Sequence, residues 1–445
     1  MKHFSWDSAT HVHFIGIGGI GISAIARMCL HEGKHVSGSD QAQSLVVSEL
    51  KKAGARITIG HHKRNVPTRC DLVIYTIAIG DANPELCVAR RRGIKTFSYP
   101  QALGILSAHK YTVAVSGTHG KTTTTAMIAS ITRVARRNPT VIVGSFLLSG
   151  NRRKKTNFIA GKSDLFIVEA CEYRRSFLNI SPWVAVITNI DNDHLDYYKN
   201  TKDIERAFNE FLRRVPRDGF VICNPHDIHT RHALTGVRAT IIDYTKRSAQ
   251  GLTLAIPGAH NVFNAKAALC VADALGIKNT ISIDALRSFN GTWRRFEYKG
   301  ITTSGAHVYD DYAHHPTEIQ ASILSARETL RVLKTKGVLW IVFQPHLYSR
   351  TKLLLSDFAK ALSCADRVLV VDIYAAREPK DSTIHSRDLV REINTHRKGI
   401  AEYVSHFSVA RAILKKKTKK GDAIITMGAG DITTISNDLT KTTGT

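Results

Sequence analysis

The chain has 445 residues, of which 43% are hydrophobic, so it can form several domains with buried cores and is not extensively disordered. Its 62 lysines and arginines against 37 aspartates and glutamates give a net charge of +25, which implies anionic partners. Because the basic residues are dispersed and lack interleaved aromatic residues, no nucleic-acid partner is expected.

Targeting and redox signals are absent from the sequence. It contains no apolar run of about 18 residues and no secretory signal, which predicts a cytoplasmic protein without membrane insertion. The seven cysteines stand singly, so neither a zinc site nor a redox pair is indicated.

The first predicted domain begins with a βαβ pattern. The apolar run HVHFIGI passes through glycines into the helix-like ISAIARMCLHEG and returns as the strand-like HVSGSD. Gly16, Gly18 and Gly21 have the G-x-G-x-x-G spacing, and Asp40 ends the next strand where a ribose ligand belongs. On this motif alone, a nicotinamide dehydrogenase and a turn that only packs a helix against a strand both remain open.

A second strand, loop and helix follow at residues 111 to 135. Residues 116 to 125 read SGTHGKTTTT, which lacks the first glycine of the common phosphate-loop pattern G-x-x-x-x-G-K-[ST]. Backbone N–H groups near Gly117 and Gly120 can still face an anion at the start of the helix. Lys121 would then reach the β- and γ-phosphates, and Thr122 would offer a hydroxyl to Mg²⁺. An incidental lysine at a strand–helix corner is the alternative.

Two further strand ends carry candidate metal ligands. Glu169 ends the run DLFIVEA, and His194 follows the run WVAVITNID. A carboxylate beside a phosphate loop is a natural second anchor for Mg²⁺, which prefers oxygen ligands. Because imidazole is a less usual magnesium ligand, His194 taken by itself favours a hydrogen-bonded structural role.

A third α/β region begins at HVYDDYAHHP. The loops DDYAHHP, FQPHLYSRT and DIYAARE place aspartates, histidines and arginines directly after apolar runs. Ligands of open α/β sheets gather at the carboxyl ends of the strands, so these loops are candidates for one ligand cleft. Arginines there suit phosphate or carboxylate, although each loop taken singly fits a capped surface turn equally well.

Together these strings resemble one family, in order, over nearly the whole chain. The strings similar to those of the Mur ligases of peptidoglycan synthesis are GTHGKTTT, VEA, TNIDNDHLD, HNVFNAKAA, RRFE, DDYAHHPTE, FQPHLYSRT, DIYAARE and TMGAGD. The resemblance implies a Rossmann-like domain for a UDP sugar at residues 1–107, a central P-loop ATPase α/β domain at 108–296, and a Rossmann-like carboxy-terminal domain at 297–445. It also implies that the short G-x-x-G-K-T form is a phosphate loop, and that the first glycine loop carries a UDP diphosphate rather than a nicotinamide cofactor.

The activity that the resemblance implies is ATP-dependent amide formation between the lactyl carboxylate of UDP-N-acetylmuramate and the amine of L-alanine, with Mg²⁺ as a cofactor. ATP would phosphorylate the carboxylate, and the amine would attack the acyl phosphate. The implied ATP-binding residues are Gly117, Thr118, His119, Gly120, Lys121, Thr122, Thr123, His260, Asn261, Asn264, Arg295, Asp310, Tyr312 and His314. The implied UDP-sugar residues are Gly16, Gly18, Gly19, Gly21, Asp40, His315, His346 and Arg350. The implied metal ligands are Thr122, Glu169 and His194. The implied catalytic residues are Lys121, Glu169, His194, Arg295, His346, Arg350 and Arg377.

The sequence departs from the family pattern beside a metal ligand. Alanine-adding members usually read EADESDASFL where this chain reads EACEYRRSFL, which introduces Cys171, Tyr173 and Arg174. Leu347 stands where an arginine is expected, so one cation is missing unless Arg174 or Arg175 replaces it. Two alternatives therefore remain open: a ligase of this family that adds another amino acid or recycles the murein tripeptide, and a non-catalytic basic protein that binds nucleotides or nucleic acid. A monomer and a homodimer are both compatible with the sequence.

Overall fold

The computed structural model describes residues 5–149, 154–195, 197–376 and 378–440. Within these ranges the chain forms three α/β sheets, each of them mainly parallel. It divides into two compact units, one made of residues 1–253 and 263–289 and the other of residues 254–262 and 290–445. The first two sheets belong to the first unit and the third sheet to the second.

The first sheet has five parallel strands in the order β3-β2-β1-β4-β5, which is the order of a Rossmann-type sheet. Its strands are β1 (His11–Ile15), β2 (His35–Asp40), β3 (Arg56–Ile59), β4 (Leu72–Tyr75) and β5 (Lys95–Ser98). Its helices are α1 (Ile20–His31), α2 (Leu45–Lys52), α3 (Pro84–Arg91) and α4 (Tyr99–Ser107). Because the strands are parallel, the turns that follow β1 and β2 lie at the same edge of the sheet.

The central sheet has seven strands in the order β12-β11-β10-β6-β9-β7-β8, and only β8 runs antiparallel to its neighbour. Its strands are β6 (Tyr111–Ser116), β7 (Thr140–Ser149), β8 (Lys154–Ile159), β9 (Leu165–Glu169), β10 (Val184–Ile187), β11 (Phe220–Cys223) and β12 (Thr240–Asp243). The helices that follow in this part of the chain are α5 (Lys121–Val134), α6 (Thr201–Leu212), α7 (Ile228–Ala233), α8 (Ala259–Ala274) and α9 (Asn279–Arg287). The apolar runs of β6, β9 and β10 are buried, as expected for strands covered on both faces.

The third sheet has six strands in the order β13-β14-β18-β15-β16-β17, with β13 antiparallel to β14. Its strands are β13 (Glu297–Ile301), β14 (His307–Asp311), β15 (Leu339–Phe343), β16 (Arg367–Val370), β17 (Ala401–Tyr403) and β18 (Ala423–Met427). Its helices are α10 (Pro316–Val332), α11 (Tyr348–Leu353), α12 (Leu355–Leu362), α13 (Ser386–His396), α14 (Phe407–Lys417) and α15 (Thr433–Leu439). The fully buried strands β15 and β18 lie at its centre.

The two sheets of the first unit share one hydrophobic core. This core includes Phe14 of β1 and Phe158 of β8. The side chain of Asn157 in β8 is fully buried, and its Nδ2 donates to the backbone oxygen of Ile20 and, at 2.8 Å, to Ser23 Oγ. Helix α1, which follows the first glycine loop, is therefore held against the central sheet by both apolar and polar contacts.

The predicted fold class, three α/β domains in series with Rossmann-like end domains, is confirmed. The domain boundaries proposed near residues 107 and 296 stay predictions. None of the described helices combines the length and the apolar character that crossing a membrane requires.

Candidate active site

The first glycine loop connects β1 to α1. Gly16 has φ 76°, a left-handed conformation that glycine adopts without steric strain. The N–H of Gly18 donates to Asp40 Oδ2 at 2.7 Å, and a Cβ on Gly18 would lie 2.8 Å from the same oxygen. The close approach of backbone and carboxylate explains why this position carries glycine. The predicted UDP-sugar residues that the structure brings to this corner are Gly16, Gly18, Gly19, Gly21 and Asp40.

The central glycine loop connects β6 to α5. Gly117 and Gly120 have φ 127° and 83°, values that other residues rarely adopt. The N–H of Thr118 donates to the backbone oxygen of Asn189 at 3.0 Å, and the N–H of His119 donates to Asn189 Oδ1 at 2.9 Å. The loop is thus fixed against the segment that follows β10, with the start of α5 at its end.

Helix α8 contributes Asn264 to the same loop. Asn264 is buried, and a Cβ on Gly120 would lie 2.6 Å from its Oδ1. The predicted adenine-side residue Asn264 therefore contacts the phosphate loop itself. Thr122 and Thr123, which follow in α5, are also buried.

Lys121 begins α5 and turns its ammonium group back over the loop. Its Nζ donates to the backbone oxygens of Gly117 at 2.5 Å and Thr118 at 3.0 Å, and to Glu172 Oε1 at 2.9 Å. Burial opposes the charged form of Lys121, but the neighbouring Glu172, Cys171 and Glu169 together outweigh it and raise the pKa of the lysine. Lys121 therefore carries a positive charge that is held inside the turn.

Glu169 ends β9 beside the loop. Its Oε2 accepts from Thr122 Oγ1 at 3.0 Å and from the Gly144 N–H at 2.8 Å. Strand β9 is the direct neighbour of β6, so the carboxylate reaches the first turn of α5. The sequence predicted this juxtaposition of Thr122 and Glu169 from the two strand ends.

His194 lies on the other side of Glu172. Its Nε2 is 3.6 Å from Glu172 Oε1, and its ring centre is 4.8 Å from that of Tyr173. The backbone of His194 has φ 56°, an uncommon value for a residue with a side chain. Strained conformations of this kind are concentrated at functional sites, where surrounding contacts hold them.

The donor set around Thr122 fits a divalent cation. A hydroxyl and a carboxylate lie 3.0 Å apart, and such oxygen donors are the ligands that Mg²⁺ prefers. Buried His194 Nδ1 and Glu172 Oε2 form no hydrogen bond within the described ranges. Because buried polar atoms without a partner are rare, both atoms are suited to an ion or its bound water.

In the second unit, the loop after β14 is anchored by a buried acid. Asp310 is fully buried and accepts from Arg294 Nε at 2.9 Å and from Thr426 Oγ1 at 2.6 Å. Arg295 pairs with Glu318 at 3.4 Å, with its guanidinium carbon 5.4 Å from the centre of the Tyr312 ring. Of the two neighbouring arginines, Arg294 supports the loop from within, and the predicted phosphate residue Arg295 lies nearer the surface.

Three predicted histidines lie near this loop or its helix. His315 is buried and precedes α10, where its Nδ1 accepts from the Thr317 N–H at 3.4 Å. The Nδ1 of His314 is 3.3 Å from Glu318 Oε2. Burial and the nearby Arg295 charge lower the pKa of His260, which favours its neutral form. Its neighbour in sequence, Asn261, donates through Nδ2 to the backbone oxygen of Pro257 at 2.6 Å.

The loop after β15 carries the predicted carboxylate-binding residues. The His346 ring stacks on Tyr374, with centres 5.9 Å apart and planes inclined by 21°, and meets the edge of His314 at 5.6 Å. Arg350 is buried in α11. Arg377, the third residue predicted for this role, lies outside the described residues.

Sequence models of three domains of one family match the chain in order. Their descriptions are "Mur ligase family, catalytic domain" for residues 11–111, "Mur ligase middle domain" for residues 115–250, and "Mur ligase, glutamate ligase domain" for residues 294–430. The chain belongs to the Mur ligase family.

Named relatives are similar to this Mur ligase over nearly its whole length. The UDP-N-acetylmuramate–L-alanine ligase of Caldanaerobacter subterraneus subsp. tengcongensis is 41% identical, with 95% of each chain covered. The ligase of the same name from Clostridium acetobutylicum is 39% identical, with 96% of each chain covered. The crystal structure of the UDP-N-acetylmuramate-alanine ligase from Thermotoga maritima matches with a TM-score of 0.79 at 29% identity, covering 96% of this chain and 98% of that one. A murein peptide ligase from Psychrobacter arcticus shares the fold, with a TM-score of 0.70 at 24% identity over 97% of this chain and 98% of its own.

The departures of this Mur ligase from the family pattern lie beside Glu172. The Cys171 thiol is exposed, and the Tyr173 ring packs on the candidate metal ligand His194. The guanidinium of Arg174 lies 5.6 Å from the Tyr173 ring centre and donates to the backbone oxygen of Ile77 at 3.3 Å. Arg174 therefore links the turn after Glu172 to the loop that follows β4.

Arg175 and Leu347 occupy different surroundings. Arg175 binds two carboxylates of α6, Asp203 and Glu210, each at 2.8 Å, so its charge is directed away from the phosphate loop. Leu347 is only 2% exposed and has φ 69°, and its N–H donates to the backbone oxygen of Tyr374 at 2.9 Å. At position 347 this Mur ligase thus has a packing residue where the resemblance predicted an arginine.

Sequence reasoning assigned no role to Glu172. It is almost fully buried, binds Lys121 and faces His194, so it links the phosphate loop to a candidate metal ligand. The sequence feature that could have indicated Glu172 is its position three residues after Glu169 in VEACE. The spacing alone did not indicate it, because its contacts with Lys121 and His194 join residues that are far apart in sequence.

Proposed function

We propose that this Mur ligase joins L-alanine to the lactyl carboxylate of UDP-N-acetylmuramate, with conversion of ATP to ADP and phosphate. The observation that carries the proposal is the 41% identity to a ligase named for this reaction, over 95% of both chains. The charged groups around the central glycine loop fit the chemistry, because a loop with a lysine at a helix start is suited to a nucleotide triphosphate.

The reaction has two steps. A lactyl carboxylate oxygen attacks the γ-phosphorus of ATP, the bond to ADP breaks, and an acyl phosphate forms. The amine nitrogen of L-alanine then attacks the carbonyl carbon, loses a proton, and expels inorganic phosphate as the amide forms. Both reactants of the first step are anionic, so the site must supply positive charge that is already in place before they meet.

Lys121 supplies part of that charge in this proposal. Its ammonium group, held by the Glu172 carboxylate at 2.9 Å, would exchange this partner for phosphate oxygens when ATP binds. The backbone N–H groups at the start of α5 add a second source of positive potential. We assign Glu172 to positioning Lys121, since its Oε1 lies between the lysine and His194.

We assign a Mg²⁺ site to Thr122, Glu169 and His194, and the ion would neutralise phosphate charge there. In the proposal, Thr122 and Glu169 provide oxygen donors, and His194 provides the imidazole whose Nδ1 forms no hydrogen bond with any described residue. The Gly144 N–H orients the Glu169 carboxylate from behind.

Residues of the second unit are assigned to the phosphate, the reacting carboxylate and the adenine. We assign Arg295 to the γ-phosphate, and His346, Arg350 and Arg377 to the reacting carboxylate. The buried position of Arg350 supports a role in holding an anion, because a guanidinium is well suited to paired hydrogen bonds with a carboxylate. His260 and Asn261 are assigned to the adenine side.

The test is a phosphate-release assay in which each component is left out in turn. Release should need UDP-N-acetylmuramate, ATP, Mg²⁺ and L-alanine together, and mass spectrometry should show the sugar nucleotide heavier by one alanine residue. Phosphate release that does not depend on the amino acid contradicts the proposal.

The acceptor is tested separately, because Tyr173 and Leu347 depart from the family pattern. Glycine, L-serine and the murein tripeptide are compared with L-alanine at equal concentration. L-alanine should give the highest kcat/KM. A higher value for another acceptor would preserve the reaction type and replace the proposed substrate.

A further inference from the structure

A cavity lies at the edge of the first sheet where its strands begin. The glycine loop lies at the other edge, where the strands end. The cavity has a volume of about 430 Å³, within the usual range for small-ligand pockets. His11, His35 and Arg56, the first residues of β1, β2 and β3, line it together with Arg69, which precedes β4. Because the strands are parallel and β1 has five residues, roughly 16 Å of strand separates this cavity from the glycine loop.

The cavity carries positive charge that the protein does not neutralise. Arg56 and Arg69 are both exposed, and in the described part of the chain neither guanidinium forms a hydrogen bond or an ion pair. Lys34, which also lines the cavity, differs from them. Its ammonium group donates to the backbone oxygens of Trp6 and Ala9 at 3.0 and 2.9 Å. The two arginines are thus the cations available to a ligand.

Asp71, two positions after Arg69, forms no ion pair with either arginine in the described part of the chain. Asp71 accepts through Oδ2 from the Thr10 and His11 N–H groups, at 2.9 and 2.8 Å, and from Thr10 Oγ1. Its carboxylate therefore fixes the chain at the start of β1. Its Oδ2 also lies 3.8 Å from Nδ1 of His11, a residue of the cavity lining.

Two imidazoles form a polar wall beside the arginines. The rings of His11 and His35 stack with their centres 4.5 Å apart and their planes inclined by 28°. Ser37, two residues along β2, also lines the cavity, but its hydroxyl lies 2.9 Å from His13 Nδ1 and is engaged there. Guanidinium and imidazole groups are both donors to phosphate oxygens, and arginine binds phosphate through two parallel bonds.

We propose that this cavity binds a small phosphate-bearing anion, at a site separate from both glycine loops. Arg56 and Arg69 grip the phosphate oxygens, and His35 donates from the wall. A cavity of this size accepts an inorganic polyphosphate or the phosphate end of a nucleotide. The inference does not depend on which amino acid the ligase uses.

The experiment is calorimetric titration of the full-length chain with inorganic triphosphate. Excess UDP-N-acetylmuramate and a non-hydrolysable ATP analogue are present so that the two glycine loops are occupied. The wild type should bind, and Arg56→Ala/Arg69→Ala should bind at least tenfold more weakly. Arg56→Lys/Arg69→Lys, which keeps the charge but loses the paired donors, should give an intermediate affinity.

A matched control removes the same charge from the same domain. Arg64 and Arg91 are exposed and do not line the cavity, so Arg64→Ala/Arg91→Ala should bind triphosphate within twofold of the wild type. Equal weakening in both double variants would assign the binding to general surface charge and overturn the proposal. So would an absence of saturable binding to the wild type.

A second arm uses a ten-residue oligothymidylate in place of triphosphate. If the oligonucleotide binds through Arg56 and Arg69 and triphosphate does not, the cavity is a nucleic-acid contact and the proposal is wrong. Circular dichroism of each variant confirms that it is folded. Ligase turnover is not needed for this readout, so a failure of the proposed function would not be mistaken for a failure here.

Discussion

The two glycine loops of the first unit both lead from a strand into a helix, but they have opposite charges inside the turn. After β1, the Asp40 carboxylate accepts from the Gly18 N–H at 2.7 Å. After β6, the Lys121 ammonium group donates to the Gly117 and Thr118 carbonyls. A loop that only holds a diphosphate can rely on backbone N–H groups, whereas one that supports phosphoryl transfer needs a cation near the moving charge. The side chain inside the turn, more than the glycine spacing, therefore distinguishes a binding loop from a reacting one.

The strands beside the first loop are supported by a buried carboxylate. Glu85 of α3 is fully buried and accepts from His13 Nε2 at 3.0 Å, Ser39 Oγ at 2.7 Å and Asn65 Nδ2 at 2.8 Å. Burial by itself would raise the pKa of Glu85, but these donors lower it to about 2. Ser39 directly precedes Asp40, so the first loop depends on a buried carboxylate.

The largest expected effect is that of Lys121→Ala. Removal of the cation from the reacting loop should lower kcat/KM by roughly 10²–10³-fold, because the phosphate charge is then stabilised by backbone groups and metal alone. The matched control is Lys110→Ala, which removes an exposed lysine at the other end of β6. It should keep the wild-type rate within about twofold. A Lys121→Ala rate close to that of the control contradicts the assigned role.

Glu85→Gln should destabilise the first unit by about 3 kcal/mol at pH 7. The pKa of Glu85 is about 2 in the folded chain against an ordinary value of 4.5, so its contribution is present above pH 4.5 and is lost as the pH falls towards 2. The stability difference between wild type and variant should shrink over that interval.

Urea unfolding at pH 7, 5 and 3 measures the effect of Glu85→Gln. Asp81→Asn, which breaks an exposed ion pair with Arg90, serves as the control and should change little. A difference between wild type and Glu85→Gln that stays constant with pH would show that the carboxylate is not the source of the stability.

Gly120→Ala should destabilise the protein by about 1–3 kcal/mol and raise the KM for ATP, because φ 83° disfavours alanine and the new Cβ would lie 2.6 Å from Asn264 Oδ1. Gly18→Ala in the first loop should be milder, since Gly18 does not have the left-handed φ that disfavours alanine at Gly120. Gly80→Ala has nothing within 4 Å of the added carbon and is the control. Thermal melting and ATP titration compare the three variants. Equal losses of stability in Gly120→Ala and Gly18→Ala would contradict the expected difference between the two loops.

The smallest expected effect is that of Asp40→Asn. An amide keeps the size of the side chain but weakens the bond from the Gly18 N–H and the contact expected with a ribose hydroxyl. The KM for UDP-N-acetylmuramate should rise about tenfold, and the KM for ATP should not change. Steady-state kinetics with each substrate varied in turn measures both. A shift in the KM for ATP would mean that the two loops are not independent.

The parts of the site that sequence could predict are those set by local patterns. Gly16 and Gly117 each follow an apolar strand and precede a helical pattern. Each loop could therefore be predicted from a short stretch of neighbouring residues. Glu169 beside Thr122 required one further step, namely that the ends of neighbouring parallel strands meet at one edge.

The remaining contacts depend on long-range geometry. The Lys121–Glu172 pair joins residues 51 positions apart, and the turn that follows Glu172 has Arg174 and Arg175 at φ 50° and 54°, values that no sequence pattern indicates for arginine. Glu85 meets His13 across 72 positions of sequence. Such pairs form because the folded sheet places them together, which residue spacing along the chain does not encode.

The buried amide of Asn157 has a consequence for the rate of reaction. By joining β8 to α1, it is one of the contacts that hold the two glycine loops within one compact unit. Their mutual alignment is therefore established once, when the chain folds, and is not repeated at each turnover. A catalyst whose two anchoring points are aligned in advance loses less translational and rotational entropy on reaching the transition state.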